Sequence, residues 1–492
     1  MNPRRASLGE FFGLIRLLRY PLVLVIMSAV ALATAFPQTG AAQTGPTQTG
    51  AAQAGSAQAG AAQPSLGAPD AGPAQPRLLT LDEAISLAVA NHPSIKQAQA
   101  QLTAARAAVG EALSLYYPKV AGAFSYTRVE PDQSFTFPGL GTFSLAQEDN
   151  WDFHVGLDQL LFASGRPAIS ARLARSGVGA AEIGLAQVEM SLAYETVQTF
   201  YTALFLEEQV ASLDQQLSDL EQHLAATQKK EQTGSATSYD LLSTQVRVAS
   251  LRGERIDAHN QYLKALIELK SLVGLGPDVE LSLRGDIASQ SAADRGAADE
   301  QALLARALAD RPEVKRALAA EEAAGLDLDL ARLGAFPTLS AHAQAGFQNG
   351  LLPDSGSLTF NWSAGVRLTV PIFDGLDTAS QIQEAQGRAE AARQNSAAAR
   401  SRVAADVLEA CQDLSASRES AQNSLIQLRQ AQAALDAAKI QYDLGVTTNV
   451  EYLDAQAALA RAKLESLAAL FHEVLSDYAL RRAAGLRIWA GG

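Results

Sequence analysis

The chain has 492 residues, of which 18% are charged, and it carries a formal net charge of −13. This acidic balance excludes nucleic acid as a partner, because the phosphate backbone would be repelled. The only cysteine, Cys411, excludes an intrachain disulfide. No cysteine stands near the N-terminal region to accept an anchoring lipid, so we expect membrane attachment to come from the fold.

The first 35 residues have the features of a secretory signal peptide. Four arginines and one glutamate precede an apolar run at 22–33, and Ala33-Thr34-Ala35 supplies small residues for cleavage. The alternative is a membrane-anchoring helix, which needs about 20 apolar residues and fits this shorter run less well. We therefore expect residues 1–35 to be removed on secretion, which changes the net charge to −16.

Residues 36–76 consist mainly of Gln, Ala, Gly, Thr and Pro, and the hexapeptide at 38–43 returns at 48–53. Such a segment has too little apolar surface to form a core. We predict a disordered low-complexity linker here and assign it no chemistry.

The rest of the chain contains one pattern written twice. Five residues recur 211 positions later: Trp151, Phe162, Gly234, Gln245 and Gly274 return as Trp362, Phe373, Gly445, Gln456 and Gly485. Before Pro118 the offset is 219, so the first copy has eight extra residues between Pro118 and Trp151. Such an insertion is typical of a surface loop. We assign repeat 1 to 77–275, a linker to 276–299, repeat 2 to 300–486 and a tail to 487–492.

Each repeat begins with helix and continues into two strands. Thr80 and Glu83 have capping-box spacing, Pro93 interrupts the helical pattern, and Pro118 ends it. Alternating apolar and polar residues predict strands at about 119–129 and 150–162 in repeat 1, and at about 338–348 and 359–373 in repeat 2. In a soluble sandwich the apolar faces would meet a second sheet, but no other strand-like run is present to form one. These faces need another partner.

Each repeat then contains one very long helix. The stretch 167–232 has no internal proline and would extend about 100 Å. Gly234 and Gly445 are expected to turn the chain back. The return helix of repeat 2 has a coiled-coil seam, and the same register in repeat 1 is interrupted by Gly253 and Asn260. The seams are Leu453, Ala457, Ala460, Leu464, Leu467, Phe471, Val474 and Tyr478, and Leu242, Val246, Ala249, Gly253, Ile256, Asn260, Leu263 and Ile267.

Four strands of this length fit a tilted membrane span but cannot close a barrel alone. The smallest outer-membrane barrels need about 8 strands, so the chain must associate, as a dimer with eight strands or a trimer with twelve. The polar faces of the strands would line a water-filled pore, and the long helices joined to the strands would continue it as a helical tube. Four aromatic residues are expected to face lipid: Trp151, Phe153, Phe360 and Trp362.

No catalytic pattern is present in the sequence. The six histidines are scattered without the helical spacing of a metal site, and there is no phosphate-binding loop or activated nucleophile. His154 and His342 fit polar residues of a pore better than metal ligands. We predict that the protein is not an enzyme and has no cofactor, so a partner must supply the energy for transport.

The duplicated order of helix, strand pair, long helix, glycine turn and return helix resembles the TolC-like outer membrane efflux protein family, over about 78–486. The most specific segments are the two turns at 234–245 and 442–456. The resemblance implies a mainly α protein with a small transmembrane β part. The implied assembly is a homotrimer with a 12-stranded β-barrel in outer membrane lipid and a long α-helical coiled-coil tunnel in the periplasm.

By the same resemblance, the protein is the exit duct of a tripartite efflux or type I secretion system. It would receive cargo from an inner-membrane transporter and a periplasmic adaptor (membrane fusion) protein. A rival interpretation from another class is a periplasmic coiled-coil scaffold without a pore. The exposed aromatic residues of the strands argue against a scaffold, and nothing in the sequence separates small-molecule efflux from protein export.

The resemblance also implies roles for residues at the two turns. Asp240 and Tyr442 match residues of the network that closes the tunnel entrance, whereas Glu451 and Asp454 match acidic rings lining it. Thr447 stands where the best-known members have a basic residue, so a lock between protomers through that position is not expected. The simpler alternative is that the acids stabilise the first turns of helices, worth a few tenths of a kcal/mol each.

Gly234 and Gly445 are predicted to dock the adaptor, because a turn without side chains allows close approach. Their alternative role is to end the preceding helices as C-cap glycines.

Overall fold

The computed structural model describes residues 77–130, 134–139, 141–144, 148–291, 299–349 and 357–489. The predicted signal peptide at 1–35 and the predicted linker at 36–76 lie outside the described residues. So does residue range 292–298 of the predicted inter-repeat linker. The described residues belong to one compact unit.

The two repeats fold into the same succession of elements, which confirms the duplicated helix-strand-strand-helix-helix pattern. Repeat 1 consists of α1 (Leu81–Asn91), α2 (Pro93–Leu113), β2 (Lys119–Arg128), β5 (Asp149–Phe162), α3 (Arg166–Gln232) and α4 (Ser238–Val273). Repeat 2 consists of α6 (Glu300–Asp310), α7 (Pro312–Arg332), β7 (Thr338–Gln348), β8 (Thr359–Thr369), α8 (Asp377–Asp443) and α9 (Asn449–Ala483). Both long helices have 67 residues.

The helix boundaries follow the local signals in the sequence. Thr80 and Glu83 form a reciprocal capping box at the start of α1. His92 then caps α2, whose first residue is Pro93. The equivalent residue of repeat 2, Arg311, is buried and forms ion pairs with Glu313 and Asp406 instead. The pair with Asp406 ties the start of α7 to α8.

The four main strands form one antiparallel sheet in the order β2-β5-β7-β8. A polar residue on the apolar face of β5, Gln159, donates hydrogen bonds to the carbonyl oxygens of Tyr116 and Leu160 at 3.2 and 2.8 Å. A bulge follows it between Leu160 and Phe162. Strand β8 ends four residues before the expected position 373, because Pro371 has no amide hydrogen for the ladder.

Two further pairs of strands lie outside the main sheet. The parallel pair consists of β1 (Arg77–Leu79) and β6 (Leu281–Leu283), and β6 falls within the segment 276–299 that the sequence assigns to a linker. A short helix, α5 (Ile287–Ser291), follows it. The antiparallel pair, β3 (Ser134–Phe137) and β4 (Gly141–Ser144), lies in the insertion of repeat 1.

The largest apolar core surrounds the middle of α3. Its centre is Phe200, whose side chain is fully buried, and the end of α4, both strands of the short parallel pair and part of α9 pack around it. A smaller core lies between α6, α7, α8 and the end of α9. Within the described ranges, no helix is both long and apolar enough to cross a bilayer.

The seam predicted for α9 is buried or half-buried against its neighbours. The seam predicted for α4 is wrong. Leu242, Val246 and Ile256 are each about 60% exposed. The residues of α4 that face its own hairpin form a second heptad series, offset by two positions, which is slightly more than half a turn. This series is Thr244, Val248, Leu251, Arg255, Ala258, Tyr262, Ala265, Leu269 and Leu272.

Candidate functional site

The apolar face of the main sheet has a row of four phenylalanines, one on each strand. Phe124, Phe153, Phe347 and Phe360 are consecutive cross-strand partners, and all four are more than 40% exposed. Paired residues of a sheet lie on the same face, so the row crosses the full width of the sheet. Trp151 lies on the same face and packs against Tyr126 with ring centroids 4.5 Å apart.

Trp362 also lies on this face, with 70% of its side chain exposed. The sheet therefore brings together the four predicted lipid-facing residues on one side.

A second group of exposed aromatic residues lies where the strands meet the helices. Tyr117, Phe162, Phe336 and Phe373 are 51–81% exposed. From Tyr117 to Tyr126 the chain advances nine residues, or roughly 30 Å along the strand. With a strand tilt of about 40°, that is roughly 23 Å along the barrel axis, which matches the apolar band of outer-membrane barrels.

The opposite face of the sheet is polar. The His154 imidazole contacts the Asp152 carboxylate, and its Nε2 hydrogen-bonds to Asn361 Oδ1 at 2.8 Å. His342 lies beside Gly365 on the neighbouring strand, and pairs across the sheet with Asp158. A sheet with one exposed aromatic face and one exposed charged face is built to separate an apolar medium from water.

Strands β2 and β8 form the two edges of this sheet, and each has one side unpaired within the chain. Because every pair in the sheet is antiparallel, these two edge strands run in opposite directions. The β8 edge of one copy can therefore pair antiparallel with the β2 edge of the next copy in a ring. In lipid such pairing is required, since an open edge would leave backbone groups without hydrogen bonds.

At the other end of the long helices, both predicted turns have the same geometry. Gly234 and Gly445 have φ of +76° and +72°, the left-handed conformation that favours glycine. The amides after each glycine, of Ser235 and Val446, donate to carbonyl oxygens five residues earlier at 2.7 and 2.8 Å. These are Schellman motifs, so both glycines end helices. An added Cβ at either glycine meets no atom within 4 Å.

The acidic residues of the turns lie in capping boxes. Asp240 accepts from the Thr237 amide at 3.0 Å, and Glu451 accepts from the Thr448 amide at 3.0 Å. Thr447 hydrogen-bonds to the Glu451 carboxylate, and this hydroxyl followed by the Thr448 amide lowers the pKa of Glu451. Asp454 is exposed on the next turn. Thr447 stands where the best-known members of the resembled family have a basic residue, and here it bonds to Glu451 of its own chain.

The two hairpins meet in a group of four residues, the tip cluster: His223 of α3, Tyr442 of α8, and Asn449 and Tyr452 of α9. His223 Nε2 hydrogen-bonds to Asn449 Oδ1 at 2.8 Å. The tyrosine rings stack at 5.3 Å, and the imidazole lies 4.7 Å from the Tyr452 ring. Lys230 Nζ lies 4.3 Å from the centre of the Tyr442 ring.

The tip cluster also reaches α4. Asn449 Nδ2 donates to Thr244 Oγ1 at 3.3 Å and to the Asp240 backbone oxygen at 3.4 Å. Among the described residues, Asp240 and Tyr442 share no direct hydrogen bond, so the link between the hairpins runs through Asn449. An apolar layer of Leu220, Val248 and Leu453 packs next to it.

The roles of His223 and Asn449 were not predicted from the sequence. The signal available was position alone: His223 lies eleven residues before Gly234, and Asn449 four residues after Gly445. The register between two separate hairpins decides whether such residues meet, and no pattern within one helix encodes it.

The family model for outer membrane efflux proteins matches residues 84–275 and 303–486, the two repeats. The chain belongs to the outer membrane efflux protein family. Protein CyaE of Bordetella pertussis is 30% identical over 384 residues, which cover 77% of this chain and 78% of that one. The pyoverdine export outer membrane protein OpmQ of Pseudomonas aeruginosa is 26% identical over 422 residues, covering 82% and 85%.

The fold is also that of a solved outer membrane channel. The crystal structure of the Campylobacter jejuni CmeC outer membrane channel aligns with a TM-score of 0.70 at 20% identity, over 82% of this chain and 85% of that one. The family confirms the predicted place in the outer membrane and the role in export.

Proposed function

We propose that this efflux protein acts as a homotrimeric exit duct, with a 12-stranded barrel in outer membrane lipid and a helical tunnel in the periplasm. The observation that carries the proposal is the four-stranded sheet, aromatic on one face, polar on the other and open at both edges. Trp151, Phe153, Phe360 and Trp362 would face lipid. The polar face, with Asp152, His154 and Asp158, would line the pore.

A second exposed surface supports self-association. The stripe on α4 that was predicted as an internal seam is apolar at most positions and exposed, including Leu263 at 44% and Ile267 at 64%. Its heptad spacing is that of a coiled-coil face, and large apolar patches on a single chain mark interaction sites. We assign this stripe to contacts between neighbouring copies along the tunnel.

The duct would not carry out chemistry of its own. This part of the proposal rests on the family, whose model matches both repeats. Energy would come from an inner-membrane transporter through a periplasmic adaptor, as in tripartite efflux or type I secretion. OpmQ is named for the export of pyoverdine. In this proposal the partner transporter determines which cargo passes through the duct.

The first test is to purify the mature chain in mild detergent and to measure its oligomeric mass and its conductance in planar bilayers. Discrete channels from a trimer are expected. A monomer or a soluble, non-conducting oligomer would refute the duct and favour the alternative, a periplasmic coiled-coil scaffold.

The entrance of the tunnel would be closed at the hairpin tips, with Asp240, Tyr442, Glu451 and Asp454 in the closing region. Tyr442 already contacts three other side chains there. Asp240→Ala or Tyr442→Phe should make the resting pore more conductive. Unchanged single-channel conductance in both variants would count against this role.

Gly234 and Gly445 would form the docking points of the adaptor hairpin. Both are exposed and face open space, which supports close approach. Gly445→Leu should weaken cross-linking to the adaptor while trimers persist. Because the same substitution strains a positive-φ position, Gly375→Leu is the matched control for strain alone: Gly375 has φ of +70°, and an added Cβ there also meets no atom within 4 Å. If both variants lose cross-linking equally, the docking role of Gly445 is refuted and its role as a helix C-cap remains.

A further inference from the structure

The tip cluster joins all four long helices of one chain at a single polar point. α3 contributes His223, α8 contributes Tyr442, α9 contributes Asn449 and Tyr452, and α4 accepts two hydrogen bonds from Asn449. Asn449 is 5% exposed and Tyr452 is 8% exposed. The only titratable group among these contacts that changes charge between pH 5 and pH 8 is the imidazole.

We propose that His223 is a pH-sensitive latch between the two hairpins: the neutral imidazole holds them together, and protonation lets them separate. The geometric basis is the hydrogen bond from the His223 imidazole to Asn449, together with the contacts of the same imidazole with the rings of Tyr442 and Tyr452. Its consequence, opening of the periplasmic end by acid, rests on the proposed function as a duct.

The hydrogen bonds of Asn449 fix the tautomer of the imidazole. The amide nitrogen of Asn449 points toward Thr244 Oγ1 and the Asp240 carbonyl, both acceptors for its hydrogens. Its oxygen therefore faces His223 and can only accept. It follows that Nε2 of His223 has the hydrogen in the joined state. A second proton would have to be added at Nδ1, and the ring would become a cation.

The surroundings oppose that cation. Burial lowers the pKa of His223, the Asn449 hydrogen bond raises it, Lys230 of α3 lowers it further, and Asp443 of α8 raises it, with a lower pKa as the net result. Of the other facing groups, Tyr442 and Tyr452 are uncharged at neutral pH. The carboxylate of Asp240 on α4 is bound to Thr237, and Asp219 on α3 accepts from Gln215.

The direction of the pH effect follows from this lowered pKa. With the hairpins apart, a solvated imidazole titrates near 6.5, so above that pH both states are neutral and the latch has its full strength. As the pH falls below about 6.5, the separated state takes up the proton more readily than the joined state, because the pKa of His223 is lowered in the joined state. From pH 7.5 to pH 5.5 the ratio of separated to joined hairpins should rise by up to about tenfold per chain.

Hydrogen–deuterium exchange of the mature, detergent-solubilised protein tests the latch directly. In the native chain, amides at 449–456 should lose up to about tenfold of their protection from pH 7.5 to pH 5.5, after correction for intrinsic exchange. His223→Gln keeps a side-chain donor but cannot titrate, so it should lose this step. His259→Gln, on α4 away from the cluster, should retain it.

Lys230→Met gives an independent check: removing the neighbouring cation should raise the pKa of His223 in the joined state, so the loss of protection between pH 7.5 and pH 5.5 should become smaller. The proposal is overturned if the native chain shows no step, or if His223→Gln shows the same one. Conductance at pH 7.5 and pH 5.5 is recorded on the same samples. If no channels form at all, the proposed function fails, and exchange at 449–456 still decides whether the latch exists.

Discussion

Gly346 on β7 allows a sharp test of the sheet, because a single methyl group there has no room. Gly346 pairs with His154 on one side and Asn361 on the other. A Cβ at this position would overlap the carbonyl oxygen of Phe153 and lie 2.8 Å from the Cα of His154. Both obstacles are backbone atoms, so neither can move without separating β5 from β7.

The cost of Gly346→Ala follows from that separation. Two ladder hydrogen bonds would be lost at about 1 kcal/mol each, and overpacking adds about 1–3 kcal/mol. We expect a destabilisation of about 3–5 kcal/mol. In Gly365→Ala the new Cβ lies 3.0 Å from the side chain of His342, which can rotate, so the effect should be small. Gly122→Ala meets nothing within 4 Å and should stabilise by about 0.5 kcal/mol.

Urea titration of the three variants in lipid vesicles, followed by tryptophan fluorescence, measures these differences. Trp151 and Trp362 lie on the sheet and report its unfolding. Far-UV circular dichroism checks that the helices remain folded. If the unfolding free energies of Gly346→Ala and Gly122→Ala differ by less than about 1 kcal/mol, the pairing of β5 with β7 in this register is wrong.

Three further outcomes are expected. Arg311→Met should cost about 2–4 kcal/mol, because it removes the partner of two carboxylates. Burial alone would raise the pKa of Glu313, but Arg311 lowers it. The difference in unfolding free energy between Arg311→Met and the native chain, measured by urea titration, should therefore become smaller below about pH 4.5. A difference that stays constant with pH would contradict this. Trp362→Arg should reduce membrane assembly by about 2–4 kcal/mol, whereas Ser363→Arg on the polar face should not; equal losses would place both residues in one environment. Thr448→Ala should cost about 1 kcal/mol at the start of α9, seen as faster amide exchange there, and unchanged exchange would deny the cap.

The helices and the strand faces were predictable from local patterns. Thr80, Pro93 and the two turn glycines mark boundaries through backbone chemistry that acts within a few residues. The strand faces follow from alternation, and the structure retains them because a shift by one residue would invert every side chain. The short pairing of β1 with β6 was not predictable, because three residues are too few for a periodic signal and their partners lie about 200 positions apart.

The two surprises of the long helices have one physical cause. On α4, two heptad series coexist, and periodicity cannot say which one faces the same chain and which faces another copy. At the tips, the sequence identified the acidic first turns but not the tip cluster, because Asn449 and His223 meet only through the relative register of two hairpins. In both cases the sequence does not show which helix faces pack against each other. The packing is decided by pairs of helix faces that lie far apart in the sequence. The residues that couple the hairpins are therefore the ones that the pattern of a single helix does not explain.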